Sequence, residues 1–236
     1  MRKLIILAVL ALTACDVPAP ATQPPATLPP VGNSSPMPQA QANAAFAQVV
    51  RTVEPVAEAE CARLTRGANC DYLIQVDPRP DAAPNAFQSL APDGRPVITF
   101  TSTLIAETHN IDELAFVMGH EAAHHIAGHI PRQQRNAVTG ALILGGLAAL
   151  TGLDSSGIEG AQRIGATVGA RTYSKEYELE ADRLGTIIAL RAGYDPLVGA
   201  RFFTRIPDPG NRFLGSHPPN AARYQTVVNT MAELRG

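Results

Sequence analysis

Between Gly119 and Ile130 the chain reads G-H-E-A-A-H-H-I-A-G-H-I and holds four of its six histidines. His120 and His124 are four residues apart. On a helix each residue advances about 100°, so the two imidazoles stand about 40° apart on one face and can grip a single metal ion. Glu121 flanks that face, where its carboxylate can take a proton from an attacking water. Two neutral nitrogen donors beside a carboxylate base are the parts of a metal-assisted hydrolysis.

Such a site needs a third protein ligand. A histidine six residues beyond His124 would supply it in one class of zinc proteases, but that position is Ile130. His129 lies nine residues past His120, about 180° round a continuing helix, and is expected to point away. His125 is expected to pack or face solvent. A carboxylate from another helix is the alternative, and Tyr173 to Asp182, Y-S-K-E-Y-E-L-E-A-D, offers Glu176, Glu178 and Glu180. Spacing alone does not choose among them. Glu178 and Asp182 do share a helix face, so a ligand at Glu178 would bring Asp182 along to hydrogen-bond the outer nitrogen of a metal-binding histidine.

The elements that must position these groups are readable in outline. Asn110 with Glu113 three residues later makes a capping box. Ile111, Leu114, Ala115, Met118, Ala122 and Ile126 then form an apolar stripe opposite His120 and His124, and Gly128 and Pro131 are stop signals. The expected helix is 111–129. Others are expected over Gln39–Arg66, bent or broken around Pro55, over Arg163–Arg191, and over Asn220–Leu234. Strands are expected at Tyr72–Val76 and Pro96–Thr101. Ala137 to Leu153 is small and apolar with four glycines. It is too short to span a bilayer and reads as a mobile hairpin or helix near the cleft, with a membrane-dipping segment as the alternative.

A chain of 236 residues, 45% hydrophobic, can bury one substantial core. The net charge of −2 and the absence of a basic cluster argue against nucleic acid as a partner. Met1-Arg2-Lys3 followed by apolar Leu4–Leu12 is an export signal, and Leu12-Thr13-Ala14-Cys15 closely resembles the bacterial lipoprotein box. The expected organisation is a signal peptide over 1–14, then a lipidated Cys15 and a Pro-rich tether to residue 38, then a folded domain over 39–236. Val17–Pro38 carries eight prolines and would reach roughly 65 Å if extended. That places the protein in a bacterial envelope, anchored to a membrane by lipid and facing the periplasm. Asp16 hints at inner-membrane retention but leaves inner against outer membrane open. In an exported chain, Cys61 and Cys70 read as a disulfide.

His120-Glu121-x-x-His124 followed by Glu178-x-x-Ala181-Asp182 resembles the zinc metallopeptidase family that includes HtpX and the CAAX prenyl endopeptidase. It is most similar to periplasmic members without transmembrane helices, such as BepA and LoiP. Asn85-Ala86-Phe87, Asp112-Glu113-Leu114-Ala115, Gly128-His129, Ser216-His217-Pro218-Pro219 and Arg223 carry the likeness further. Lys175 stands where the family usually has arginine. The resemblance implies an α+β, predominantly helical, zincin-like domain with a small sheet beside the metal helix, where a strand shortly before that helix keeps an edge for substrate backbone. It also implies one Zn²⁺ per chain on His120, His124 and Glu178, with Glu121 as base and Asp182 in support. His217 would lie near the active site, stabilising the oxyanion or ligating zinc in a resting form. The implied substrates are unfolded or misassembled envelope proteins.

Overall fold

The computed structural model describes residues 27–30, 34–210, 215 and 217–236. Cys15, the export signal, most of the tether and Ser216 lie outside the described residues. The spine of the core is a pair of helices, α1 (Gln39–Leu64) and α3 (Ile111–Ile126). In α1 the small and β-branched residues Ala42, Ala45, Val49, Val53, Ala57 and Cys61 recur at three- and four-residue intervals and are buried. They meet Leu114, Ala115, Met118, Ala122 and Ile126 of α3 in one apolar cluster. Of the two expected outcomes at Pro55, a break is not found: α1 runs through it as one helix. Pro55 is exposed, so the carbonyl it leaves without a helical partner faces water.

Beside α3 lies a three-stranded sheet in the order β1 (Leu73–Asp77), β3 (Pro96–Thr101), β2 (Ala86–Leu90). β1 pairs with β3 in parallel and β2 pairs with it antiparallel. The β2 sequence A-F-Q-S-L has no β-branched residue, which is why strand propensity passes over it. Its presence also corrects the placing of the edge. Pro96–Thr101 is the fully buried central strand, bonded on both sides, and among the described residues the strand with a side left unpaired next to α3 is β2. Short α2 (Ser102–Glu107) links β3 to α3.

At the start of α3, Asn110 caps as expected: its side chain accepts from the Glu113 backbone N–H at 3.0 Å. The Glu113 side chain answers by accepting from the His109 backbone N–H at 2.9 Å, and it does more. Its fully buried carboxylate takes both guanidinium nitrogens of Arg205, at 2.8 and 2.6 Å, tying the C-terminal third of the chain to the helix start.

α3 ends at Ile126, three residues short of expectation, because Gly128 adopts φ +65°. The chain turns there into α4 (His129–Leu150), which packs along α5 (Ser155–Thr172) as a helical hairpin. Residues 137–153 are thus mostly regular helix, and none of the described helices is long and apolar enough to cross a membrane. The expected 163–191 helix is two: a break at Tyr173 separates α5 from α6 (Ser174–Arg191). Next come α7 (Pro196–Gly199), a 3-10 turn over Ala200–Thr204, and α8 (Asn220–Arg235). Cys61 and Cys70 form a disulfide with Cα atoms 5.7 Å apart, pinning the end of α1 to the approach to β1.

Candidate metal centre

Glu178, Ala181, Asp182 and Gly185 fall on one face of α6, and that face lies against α3. Gly185 makes the approach this close. A Cβ there would stand 2.7 Å from the His120 backbone nitrogen, and one on Gly119 would stand 2.8 Å from the Gly185 carbonyl oxygen. With both positions bare, Glu178 reaches the two histidines. His120 Nε2 lies 3.0 Å from His124 Nε2 and 3.6 Å from Glu178 Oε2, and His124 Nε2 lies 3.5 Å from Glu178 Oε1.

Nitrogen and oxygen donors bound tetrahedrally at about 2.0–2.1 Å from an ion stand about 3.4 Å apart. The triangle His120–His124–Glu178 has that size, and its donors all lie within 4.8 Å of one another. Two imidazoles and one carboxylate also leave a divalent ion with net positive charge and a side open to solvent. These residues fit a metal ion.

Around the triangle the charges are arranged with care for both histidines. Asp182, fully buried, holds His120 Nδ1 at 2.9 Å. Arg223 of α8 grips Asp182 in turn, Nε to Oδ2 at 2.8 Å and Nη2 to Oδ1 at 2.6 Å, with its guanidinium 4.2 Å from the centre of the Phe203 ring. Burial alone would raise Asp182's pKa, but Arg223 and His120 hold it below the ordinary value. Burial and Arg223 push His120 down, and the Asp182 and Glu178 carboxylates overcome both and raise it to about 10. The negative charge that retains a proton there would equally retain a cation, whose binding displaces that proton. Burial opposes ionisation of Glu178 as well, yet His120, His217 and Arg223 keep its carboxyl far below the usual range. His124 goes the other way: burial, then the neighbouring His120, depress it to about 3.

Glu121 is buried beside the triangle and does not belong to it. Burial pushes its pKa up to about 7, against the pull of His120 and Arg223 and a backbone hydrogen bond from Gln88 of β2. A carboxyl poised near neutrality can both take and return a proton. His120, Glu121, His124, Glu178 and Arg223 line a cleft of about 610 Å³, walled on one side by Ala86, Phe87 and Gln88 of β2 and on another by Phe202 and Ile206. His217 stands at its mouth with a half-exposed side chain, Nδ1 3.1 Å from Glu178 Oε2.

The structure therefore brings together His120, Glu121, His124, Glu178, Asp182 and His217. His125 points elsewhere, to the Asn69 carbonyl at 2.7 Å and the edge of Tyr72. His129 does not point away as expected: its Nδ1 is 2.8 Å from His124 Nδ1. The 100° rule fails there because the helix has already stopped at Gly128. Arg223, noted only as part of a resemblance, has a structural place beside Asp182 that no local pattern could assign, because its partner is 41 residues away.

A helix bearing two histidines, crossed by a second helix bearing a glutamate, with a small sheet along the cleft, defines a zincin-like peptidase domain. The chain belongs to peptidase family M48, whose profile matches residues 43–231. It is 30% identical over 160 residues to a beta-barrel assembly-enhancing protease of Escherichia coli K12, covering 58% of this chain and 31% of that one. With the protein of the same name in Yersinia pestis it shares 32% identity over 145 residues, 58% of this chain and 30% of the other. The mitochondrial metalloendopeptidase OMA1 of Saccharomyces cerevisiae is 29% identical over 169 residues, 66% of this chain and 46% of its own length. The chain thus spans about a third of the bacterial relatives and under half of the mitochondrial one. Membership in a metallopeptidase family implies a metal cofactor for the His120–His124–Glu178 triangle.

Proposed function

We propose that this protein is a zinc metalloendopeptidase of the bacterial envelope, anchored through Cys15 and facing the periplasm, that hydrolyses misfolded or unassembled envelope proteins. The observation that carries the peptidase reading is the triangle of His120, His124 and Glu178, sized for a tetrahedral ion, with Glu121 buried beside it on the floor of an open cleft. The substrate class rests on the relatives' names, and the anchor on the lipoprotein-like box at Cys15.

A zinc ion on these ligands would supply a Lewis acid that polarises the scissile carbonyl and makes an attacking water more acidic. Glu121 takes the water's proton and later delivers it to the departing amine. Asp182, itself held by Arg223, keeps the proton of His120 on Nδ1 so that Nε2 presents its lone pair. The unpaired side of β2 runs along the cleft, where an extended peptide can add as a further strand.

The deciding experiment is digestion of an unfolded protein such as casein, with and without chelator, beside Glu121→Gln. Wild type should cleave, chelator should stop it and zinc restore it. The glutamine variant should keep its zinc and fold yet cleave nothing, and wild-type cleavage by that variant would sink the assignment. For the anchor, Cys15→Ser should move the protein from the membrane to the soluble fraction.

A second reading has an observation of its own. The contact of His217 Nδ1 with Glu178 Oε2 puts an imidazole where it can either steady an oxyanion or occupy the metal's open side in a latent enzyme. If His217 steadies the oxyanion, His217→Ala lowers resting cleavage; if it holds the enzyme latent, the same change raises it.

A further inference from the structure

Among the described residues, the two histidines of the centre are supported from outside in different ways. His120 is backed by a buried carboxylate, but at His124 the contact behind the metal-facing nitrogen is another imidazole, His129 Nδ1 at 2.8 Å. A contact between two ring nitrogens needs one proton, and which ring carries it depends on what lies beyond. On the far side His129 Nε2 is 3.1 Å from Glu180 Oε2, and that same oxygen receives Arg132 Nη1 at 2.7 Å. A carboxylate paired with an arginine accepts and does not donate, so His129 must carry its hydrogen on Nε2. A neutral His129 then has only a lone pair on Nδ1. The proton between the rings therefore belongs to His124 Nδ1, and the lone pair of His124 is left on Nε2, the atom that faces His120 and Glu178.

The opposite arrangement requires a second proton on His129, which is buried 5% exposed and lies between His124 and Tyr177. Its plane is set as firmly as its protonation. Tyr177 stacks on it with ring centres 4.6 Å apart and planes 12° from parallel. Tyr177 is held by Asn136 through its hydroxyl at 2.9 Å and covered by the Arg132 guanidinium at 4.3 Å. His129, Arg132 and Asn136 all come from the first turns of α4, and Tyr177 and Glu180 from α6.

We propose that Glu180 and His129 form a two-step hydrogen-bond relay that positions His124, fixing its Nδ1–H tautomer and ring plane so that Nε2 is the metal-binding atom. The inference rests on the metal-site reading above and extends it to residues outside the ligand set. His129 is a positioning residue here, and so is Glu180; neither touches substrate. The asymmetry has a reason in charge. The site already holds Glu178, Asp182 and Glu121 against buried Arg223, and a second outer carboxylate, packed directly on His124, would add another buried negative charge. An imidazole passes on the orientation and leaves the charge at half-exposed Glu180.

The test is zinc affinity of the purified full-length chain, measured by competition with a chromophoric chelator, together with thermal unfolding of each variant. His120→Ala, which removes a ligand, is the reference for the site itself. His129→Ala should weaken zinc binding about 10–100-fold. His129→Asn puts an amide oxygen near the place of Nδ1, able to accept from His124, and should recover most of that loss. Glu180→Gln still accepts from His129 and should lie close to wild type, whereas Glu180→Leu should fall between the two. If His120→Ala binds zinc like wild type, the metal-site reading fails. If His120→Ala loses zinc while His129→Ala keeps wild-type affinity, or Asn falls as far as Ala, the relay alone is overturned. Should His129→Ala not fold, the Glu180→Gln and Glu180→Leu pair decides, and equal affinities overturn the relay.

Discussion

Two helix pairs in this molecule approach each other through glycine, and they use the closeness differently. In α3 and α6 the bare positions are Gly119 and Gly185; in α4 and α5 they are Gly140 and Gly165, where a Cβ on either would come within 2.1 Å of the other's carbonyl oxygen. Around the first pair nearly everything is buried, including Glu178 and Asp182, and helix separation sets distances between metal donors. Around the second the outer surface is apolar yet in water, with Leu142 67% and Leu150 88% exposed. Small residues at a crossing thus say that two helices touch. They do not say whether the contact lies at the heart of a domain or in an outlying hairpin.

The largest expected effect comes from the charge buried in the first pair. Asp182→Asn leaves Arg223 without its main partner and should cost about 3 kcal/mol at pH 7, measured by urea unfolding. Asp182's pKa is depressed on folding. Its contribution is therefore complete above the unfolded value near 3.9 and is lost as pH falls toward the lower folded value. The gap between wild type and Asp182→Asn should narrow steadily as the pH falls below about 4. A gap that stayed constant as the pH fell below about 4 would point to lost packing rather than lost charge.

Next in size, Gly185→Ala drives a methyl into the His120 backbone and should cost about 1–3 kcal/mol while weakening zinc binding, because Glu178 moves with α6. Gly140→Ala makes an even closer clash in the hairpin, but the hairpin can splay into solvent. About 1 kcal/mol of stability should go with zinc affinity unchanged. Equal effects of the two glycine changes on zinc affinity would erase the distinction between the pairs. The smallest effect is expected from Leu142→Ser, within about 0.5 kcal/mol in the same unfolding experiment, since that side chain is already in water.

Legibility followed the range of the interaction. The capped start of α3, the pairing of His120 with His124 and the flanking of Glu121 were legible because each depends on residues within one or two helical turns. The choice of Glu178 over Glu176 and Glu180 was not: all three lie on α6, and packing turned Glu178 to the metal triangle and Glu180 to His129. A helical wheel carried past Gly128 puts His129 on the wrong side, because the chain turns at that glycine before His129 begins α4. β2 went unseen because its residues are ordinary for a loop, and only its bonding to β3 makes it a strand.

What the sequence determined by itself was the chemistry on offer, two imidazoles and a carboxylate on one helix, since 3.6 residues per turn sets their mutual positions wherever that helix lies. Tertiary structure alone decided which distant groups complete it: Glu178, Asp182, Arg223 and the turned-back His129. Their distances depend on how closely helices pack and where the chain reverses, and no residue spacing along one helix contains that information.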